Sequence, residues 1–431
     1  MQVMRISTFK TIIFASLLAC LSLDAVAQAD VDSPYSLFGL GQVRNKSMNT
    51  KLKGMGGVAN AMFDMGMINS ENPASYAKID SLSFLFDAGF YFKTSTFSTS
   101  GLSEKSANAS FDYVSMAFGL TSWWKIALGV QPYSTSGYTI LVKSNDADLG
   151  NYTTRFKGSG GLNQAFVGTA FKIGKHFALG ANGYYVFGNT KNETTLYFPD
   201  SLYMIGSRRS VDLMVSSFMF DYGLLFDTDL GSDLHLSLGL TYTQKVKLSG
   251  TETLFVRSIE EDIDTEIEYT IDTVVNATGK TKLTMPQGFG GGFALSKGDQ
   301  WRIGGDFNWT QWSKFAREGV TDRLQDSWNA SLGFEFLPRH TSISGYFSKV
   351  AYRFGGFYEH GFLNLEGHNI NKFGVTVGLS LPLPKTLSKV NLALEMGQYG
   401  TREAGLIQER YFRVDVGVSV FEHWFMKRRY R

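Results

Sequence analysis

The sequence predicts an all-β fold: a transmembrane antiparallel β-barrel of about 14 strands with an N-terminal hatch, or plug, inside the lumen. Three observations predict it. The 431 residues include 46 Gly, 35 Phe, 20 Tyr and 7 Trp, but only 19% are charged, below the ~25% of an ordinary soluble domain. That apolar mass is never continuous: past residue 27 no run reaches the ~18 apolar residues that a spanning helix needs. Instead it recurs at period two, which puts apolar side chains on one face of a strand and small or polar ones on the other. A net charge of +2 leaves no field for a polyanion, so nucleic acid is not an expected partner.

The elements follow in order. Arg5 and Lys10 precede an apolar stretch, residues 11–23, and Ala25-Val26-Ala27 offers a small-x-small cleavage site, so residues 1–27 read as a secretion signal. Leu17-Leu18-Ala19-Cys20 is a rival, lipoprotein-type site. Cys20 is the single cysteine; with the signal removed, no thiol, disulfide or cysteine metal site remains. Residues 28–80 alternate poorly and are read as the hatch. Residues 81–421 are the barrel and residues 422–431 a basic tail.

Within the barrel, Leu234, Leu236, Leu238, Leu240 and Tyr242 alternate with His235, Ser237, Gly239, Thr241 and Thr243. Phe373, Val375, Val377 and Leu379 alternate likewise with Gly374, Thr376, Gly378 and Ser380, and Phe412, Val414, Val416 and Val418 with Arg413, Asp415, Gly417 and Ser419. Short turns are expected near residues 121–122, 174–175, 228–232, 297–299, 338–340 and 382–385. Longer loops are expected near 97–110, 134–160, 189–211, 247–283, 313–326, 356–368 and 401–408. Such alternation of short and long connections is that of outer-membrane barrels. Trp123, Trp124, Trp309, Trp312, Trp424 and Phe425 are expected in interfacial girdles, where an amphipathic ring is most stable.

Three segments resemble the FadL/TodX long-chain fatty-acid transporter family of outer-membrane proteins. They are Gly54-Met55-Gly56-Gly57 followed by Asn72-Pro73-Ala74; Trp309-Thr310-Gln311-Trp312-Ser313-Lys314-Phe315; and the later order Asp326-Ser327-Trp328, Tyr352-Arg353-Phe354-Gly355-Gly356 and residues 374–381. The resemblance, to a Bacteroidetes-like member, spans most of residues 35–421. It implies a 14-stranded barrel in the outer membrane of a Gram-negative bacterium, plugged by a hatch carrying Gly54, Gly56, Gly57, Asn72, Pro73 and Ala74. It also implies uptake of a hydrophobic small molecule, with sideways exit at a kink in the third strand. Gly129 and Pro132 lie on that strand; a proline cannot donate to a ladder and a glycine permits a bend. The plainer reading is that Pro132 ends the strand at the membrane edge. Gly288-Phe289-Gly290-Gly291-Gly292-Phe293, on the expected eighth strand, would relieve crowding against the hatch or bend the wall.

Alternation turns Arg302, Asp306, Glu335, Glu395, Arg413 and Asp415 inward. Buried charges of mixed sign are normally paired, so these are read as lumen-lining, hatch-holding groups. No Gly-x-Ser-x-Gly or His-Glu-x-x-His motif occurs, and no enzyme activity and no cofactor are expected. Glu359, His360, Glu366 and His368 share one loop but are read as solvated, so no metal is expected. The expected partners are a hydrophobic small-molecule ligand and outer-membrane lipid. The alternative is a non-transporting barrel that serves as a protein-interaction subunit of an outer-membrane secretion complex, as in a subunit resembling this family that works with Bacteroidetes type IX secretion.

Overall fold

The computed structural model describes residues 33–44, 49–148, 150–200, 204–262, 267–318, 324–338, 345–384 and 386–423. The expected signal segment, the start of the hatch and the tail from Trp424 onward lie outside them. Fourteen strands form the wall: β1 Ser83–Ser98, β2 Ser103–Phe118, β3 Trp124–Thr135, β4 Gly150–Ile173, β5 Phe177–Tyr197, β6 Gly206–Leu230 and β7 Leu234–Thr243. They continue as β8 Gly288–Lys297, β9 Trp301–Thr310, β10 Ser327–Phe336, β11 Ala351–His360, β12 Lys372–Pro382, β13 Lys389–Tyr399 and β14 Gln408–His423. Each pairs antiparallel with its neighbours, and β14 returns to β1 from Ser83↔His423 to Ser98↔Gln408, closing the ring. Closure matters because a bilayer offers no water to an open sheet edge.

The faces are inverted relative to a soluble protein. On β7, Leu238 and Leu240 are exposed while Ser237 and Gly239 are buried. On β12, Phe373, Val375 and Val377 face out while Thr376 and Ser380 are buried. Lipid stabilises the apolar side, and the small polar side turns to a packed lumen. Aromatic rings run across neighbouring strands at one level, Tyr222 to Tyr242 to Phe289 to Trp309, with centroids 6.3, 5.0 and 6.1 Å apart. At the opposite, short-turn end Trp123 and Trp124 stack with Phe171. Trp312 departs from the girdle expectation: it is 2% exposed and stacks on Phe362 at 4.8 Å, because the 3₁₀ turn Trp312–Lys314 folds it back over the lumen.

The wall is uneven in height. β9 to β13 have 10 or 11 residues each, about what a tilted strand needs to cross hydrocarbon. β4, β5 and β6 have 24, 21 and 25 residues. Beside them β7 resumes as Val246–Asp262, and β8 is preceded by Ile267–Met285, the two forming a hairpin. Much of residues 97–110, 134–160, 189–211 and 247–283, expected as loops, is therefore strand. Beyond the membrane both faces of a strand meet water, so the apolar alternation fades while the ladder continues. Among the short connections, that expected at 338–340 lies mostly outside the described residues, between the end of β10 at Phe336 and the start of β11 at Ala351.

Residues 33–79 make little regular structure: a 3₁₀ turn Pro34–Leu37, the two-residue strand Gln42–Val43, one helical turn Thr50–Lys53 and a 3₁₀ helix Pro73–Lys78. They touch the wall all around the ring. Thr50 meets Tyr113 and Gly417, Gly54 would place a Cβ 2.8 Å from Gly378 Cα, Asn60 lies against Gly239, and Pro73 against Gly180. A segment that contacts a closed ring from every side lies inside it.

Candidate functional site

The segment is seated by backbone-to-backbone approach and by charge. Where it touches the wall, the wall residue is often glycine, because a side chain there would occupy the segment's own backbone: a Cβ on Gly239 would fall on the Asn60 carbonyl, and one on Gly355 on the Gly56 nitrogen. Gly290 and Gly292 instead make room for side chains: a Cβ there would fall on Asn308 and Thr241 or on Asp306, and would crowd the Asn60 side chain. Gly56 and Gly57 have φ of 72° and 85°, a left-handed conformation in which L side chains are strained. This turn brings Gly56 N–H to Thr376 Oγ1 at 2.8 Å. Asn72 caps the helix that Pro73 opens, accepting from Ala74 N–H at 3.0 Å, and its amide donates to the Asn60 carbonyl at 2.6 Å.

The inward charges named from the sequence all find partners. Asp306 Oδ2 accepts from the N–H groups of Ala59 and Asn60 at 2.5 and 2.8 Å. Arg302 donates to the Phe63 carbonyl at 3.2 Å, and Glu335 pairs with Arg353 at 2.6 Å. Glu395 accepts from the Tyr411 hydroxyl at 2.6 Å. Arg413 pairs with Asp415 at 2.7 Å and with Asp112 at 3.2 Å, Asp415 takes Lys53 at 2.8 Å, and Asp112 also holds Lys53 and Arg44. Sequence reasoning missed Asp112. It is the extra residue of a bulge, since Gly89 pairs with Tyr113 and Phe90 with Phe111, so two consecutive residues are buried and simple alternation assigns one of them wrongly. Arg44, Lys53 and Arg353 were also missed; the first two lie in an irregular segment without periodicity.

Glu71, on the inner segment, is raised to about 7, chiefly by burial and then by the charges of Asp221 and Asp306. Its folded value lies above its unfolded one, so the folded state holds a proton that the unfolded chain releases, and stability falls as pH rises from about 4.5 to about 7. Glu71→Gln is expected to raise the melting temperature at pH 8 and to flatten its change between pH 5 and 8, read by thermal unfolding. A pH profile that keeps the wild-type slope would assign the effect to other groups.

Among the described residues the membrane-level wall has a break between β2 and β3. β2 and β3 pair only from Val114↔Val130 to Phe118↔Ile126. Beyond that, β3 keeps its ladder with β4, with a register shift around Tyr133 between Pro132 and Ser134, and its continuation Tyr138–Asp146 does the same. Its other edge is taken by the inner segment, Gln42↔Thr135 and Val43↔Ser134. Among the described residues the backbone ladder of residues 103–113 of β2 is with β1. Gly129 is still within the paired stretch, opposite Ser115, and Pro132 stands just past its end. Arg44 touches both lips of the break. Its N–H donates to the Tyr133 carbonyl on β3 at 3.1 Å, while its guanidinium pairs with Asp112 on β2 and lies 5.3 Å from the Tyr91 ring centroid.

Among the described residues no group of three or more His, Cys, Asp or Glu is placed to hold a metal ion. His368 pairs with Glu403 at 2.9 Å, and His360 stacks on Trp328.

A closed ring of fourteen strands, lipid-facing outside and filled by its own N-terminal chain, defines a transmembrane β-barrel with an occupied lumen. The chain belongs to the BamG family, whose model matches residues 8–431. Solved structures with a similar fold include the Pseudomonas putida toluene transporter TodX, at 16% identity and TM-score 0.59, covering 89% of this chain and all of that one. The CymD monoaromatic hydrocarbon channel aligns at 14% identity and TM-score 0.56, over 90% of this chain and 100% of that one. A Pseudomonas aeruginosa FadL homologue aligns at 10% identity and TM-score 0.58, over 89% and 100%. At these identities the likeness is one of fold. No curated protein matches the chain.

Proposed function

We propose that this chain is an outer-membrane barrel that passes a small hydrophobic molecule, of the long-chain fatty-acid or hydrocarbon kind, sideways into the bilayer at the break between β2 and β3. In this reading residues 33–44 are the closing piece of a hatch formed by the inner segment. The observation that carries the reading is the stretch of β2 that, among the described residues, is laddered to β1 but not to β3, and that faces an edge of β3 laddered there to Gln42–Val43. Unpaired backbone against hydrocarbon is costly, and a barrel could remove that cost by continuing the ladder. A lateral route also spares an apolar solute the charged lumen around Asp112 and Asp415. Similarly folded proteins include a toluene transporter and a monoaromatic hydrocarbon channel, which supports a small hydrophobic solute as cargo.

Uptake of a fluorescent hydrophobic dye by cells carrying the barrel tests it. Arg44→Ala unfastens one lip and is expected to speed uptake. Pro132→Thr, which restores a ladder-competent residue, is expected to slow it with barrel assembly intact. Unchanged uptake in both variants removes the lateral route. A second reading, a protein-interaction subunit, is favoured by the wall of β4 to β8 and its hairpin, which extends well past what crossing a membrane requires. Native mass spectrometry of the extracted protein separates the two: a lipid-mass adduct on the monomer supports passage, and a bare barrel held in a defined protein complex supports the subunit.

A further inference from the structure

At the short-turn end of the barrel, away from the break, lies a cavity of about 750 Å³, within the size range of small-molecule sites. Phe63 from the inner segment, Trp301, Leu337, Ala351, Leu387 and Phe421 wall it. At its lip Met65 and Leu387 are 65% and 61% exposed. Exposed apolar side chains gathered around a concavity are a recognition feature rather than scattered surface. The charges around it are uneven: six basic side chains and four acidic ones line it. Lys51 is paired with Asp64, Arg353 with Glu335, and Lys78 with Asp227. Arg302 is engaged by the Phe63 carbonyl and by Glu335. Lys389, at the start of β13, lines the cavity and, among the described residues, reaches no carboxylate within 4 Å, the charge of Asp64 acting on it from farther off.

We propose that this cavity binds a single-chain amphiphile, its apolar chain lying against Phe63, Trp301 and Phe421 and its anionic head group held by Lys389. The fit is one of shape and charge together. The walls are apolar enough for an acyl chain, and one cation on the strand end is left to meet a carboxylate or phosphate. The site is separate from the lateral route and needs no passage of the ligand.

The test uses the whole barrel in phosphatidylcholine nanodiscs, titrated with a fluorescent C18 polyene fatty acid, its methyl ester and lysophosphatidylglycerol. The free acid is expected to bind about tenfold more tightly than the ester, the effect of one hydrogen bond to a charged group. Lys389→Gln should bring the acid down to the affinity of the ester. Leu387→Glu, an exposed and structurally innocuous change at the lip, should weaken the acid more than the ester, and Ala351→Trp should remove both by filling the space. Tighter binding of lysophosphatidylglycerol than of the acid identifies a lipid head group as the natural anion, and the reverse order a free acyl anion. Equal binding of acid and ester overturns the proposal, as does undiminished binding by a folded Ala351→Trp barrel. Arg44→Ala should leave binding unchanged, so failure of the lateral route and failure of this site are read separately.

Discussion

Replacing Asp112 with Asn is expected to destabilise the folded barrel by about 3–5 kcal/mol, the cost of leaving buried charge without its partner. Arg44, Lys53 and Arg413 converge on Asp112 and Asp415, and both carboxylate side chains are 0% exposed. With Asp112 neutral, three cations share one carboxylate, and like charges at this depth are poorly screened. The measurement is the temperature at which the compact, heat-modifiable form converts to the unfolded band on a gel. Adding Lys53→Met to Asp112→Asn restores the original charge difference and should recover part of the loss. A double variant no better than the single one would mean that Asp112 acts through packing, not charge.

The second large effect concerns the glycine-lined contact. Gly355→Val is expected to unseat the inner segment while the wall still forms, because the new side chain would fall on the backbone of Met55 and Gly56, which has no rotamer with which to yield. Overpacking of this kind typically costs 1–3 kcal/mol or more. Limited proteolysis should then cut within residues 49–62, which are almost all buried in the native protein. Gly279→Val is the control: it lies on the projecting hairpin, where an added Cβ meets nothing within 4 Å. Equal protease resistance in the two variants would show that the approach at Gly355 does not hold the segment.

Legibility in the sequence followed the physics at each place. Leu238 and Leu240 against Ser237 and Gly239 are readable because the bilayer imposes one rule on one face. The long strands beside them were mistaken for loops because that rule stops where lipid stops, while backbone pairing needs no apolar side chain to continue. Arg302, Asp306, Glu335, Glu395, Arg413 and Asp415 occur in phase with their strands, so their inward direction could be read. Asp112 could not, since the bulge beside Gly89 shifts its phase by one residue. Arg44 carried no signal either: its partners Asp112 and Tyr133 lie 68 and 89 positions along the chain, on different strands.

The uneven height of the wall has a mechanical side. At ~3.3 Å per residue and a tilt near 40°, the 25 residues of β6 rise roughly 60 Å, whereas a 10-residue strand such as β10 rises about 25 Å. The high side is thus a lever standing clear of the bilayer. At one flank it is sewn to the low side by the uninterrupted ladder of β8 with β9, from Gly288↔Thr310 to Lys297↔Trp301. At the other flank it meets β2 through the short stretch from Val114↔Val130 to Phe118↔Ile126. A sideways load on the lever becomes a torque on the barrel, and its least resistant seam is the one that Arg44 fastens.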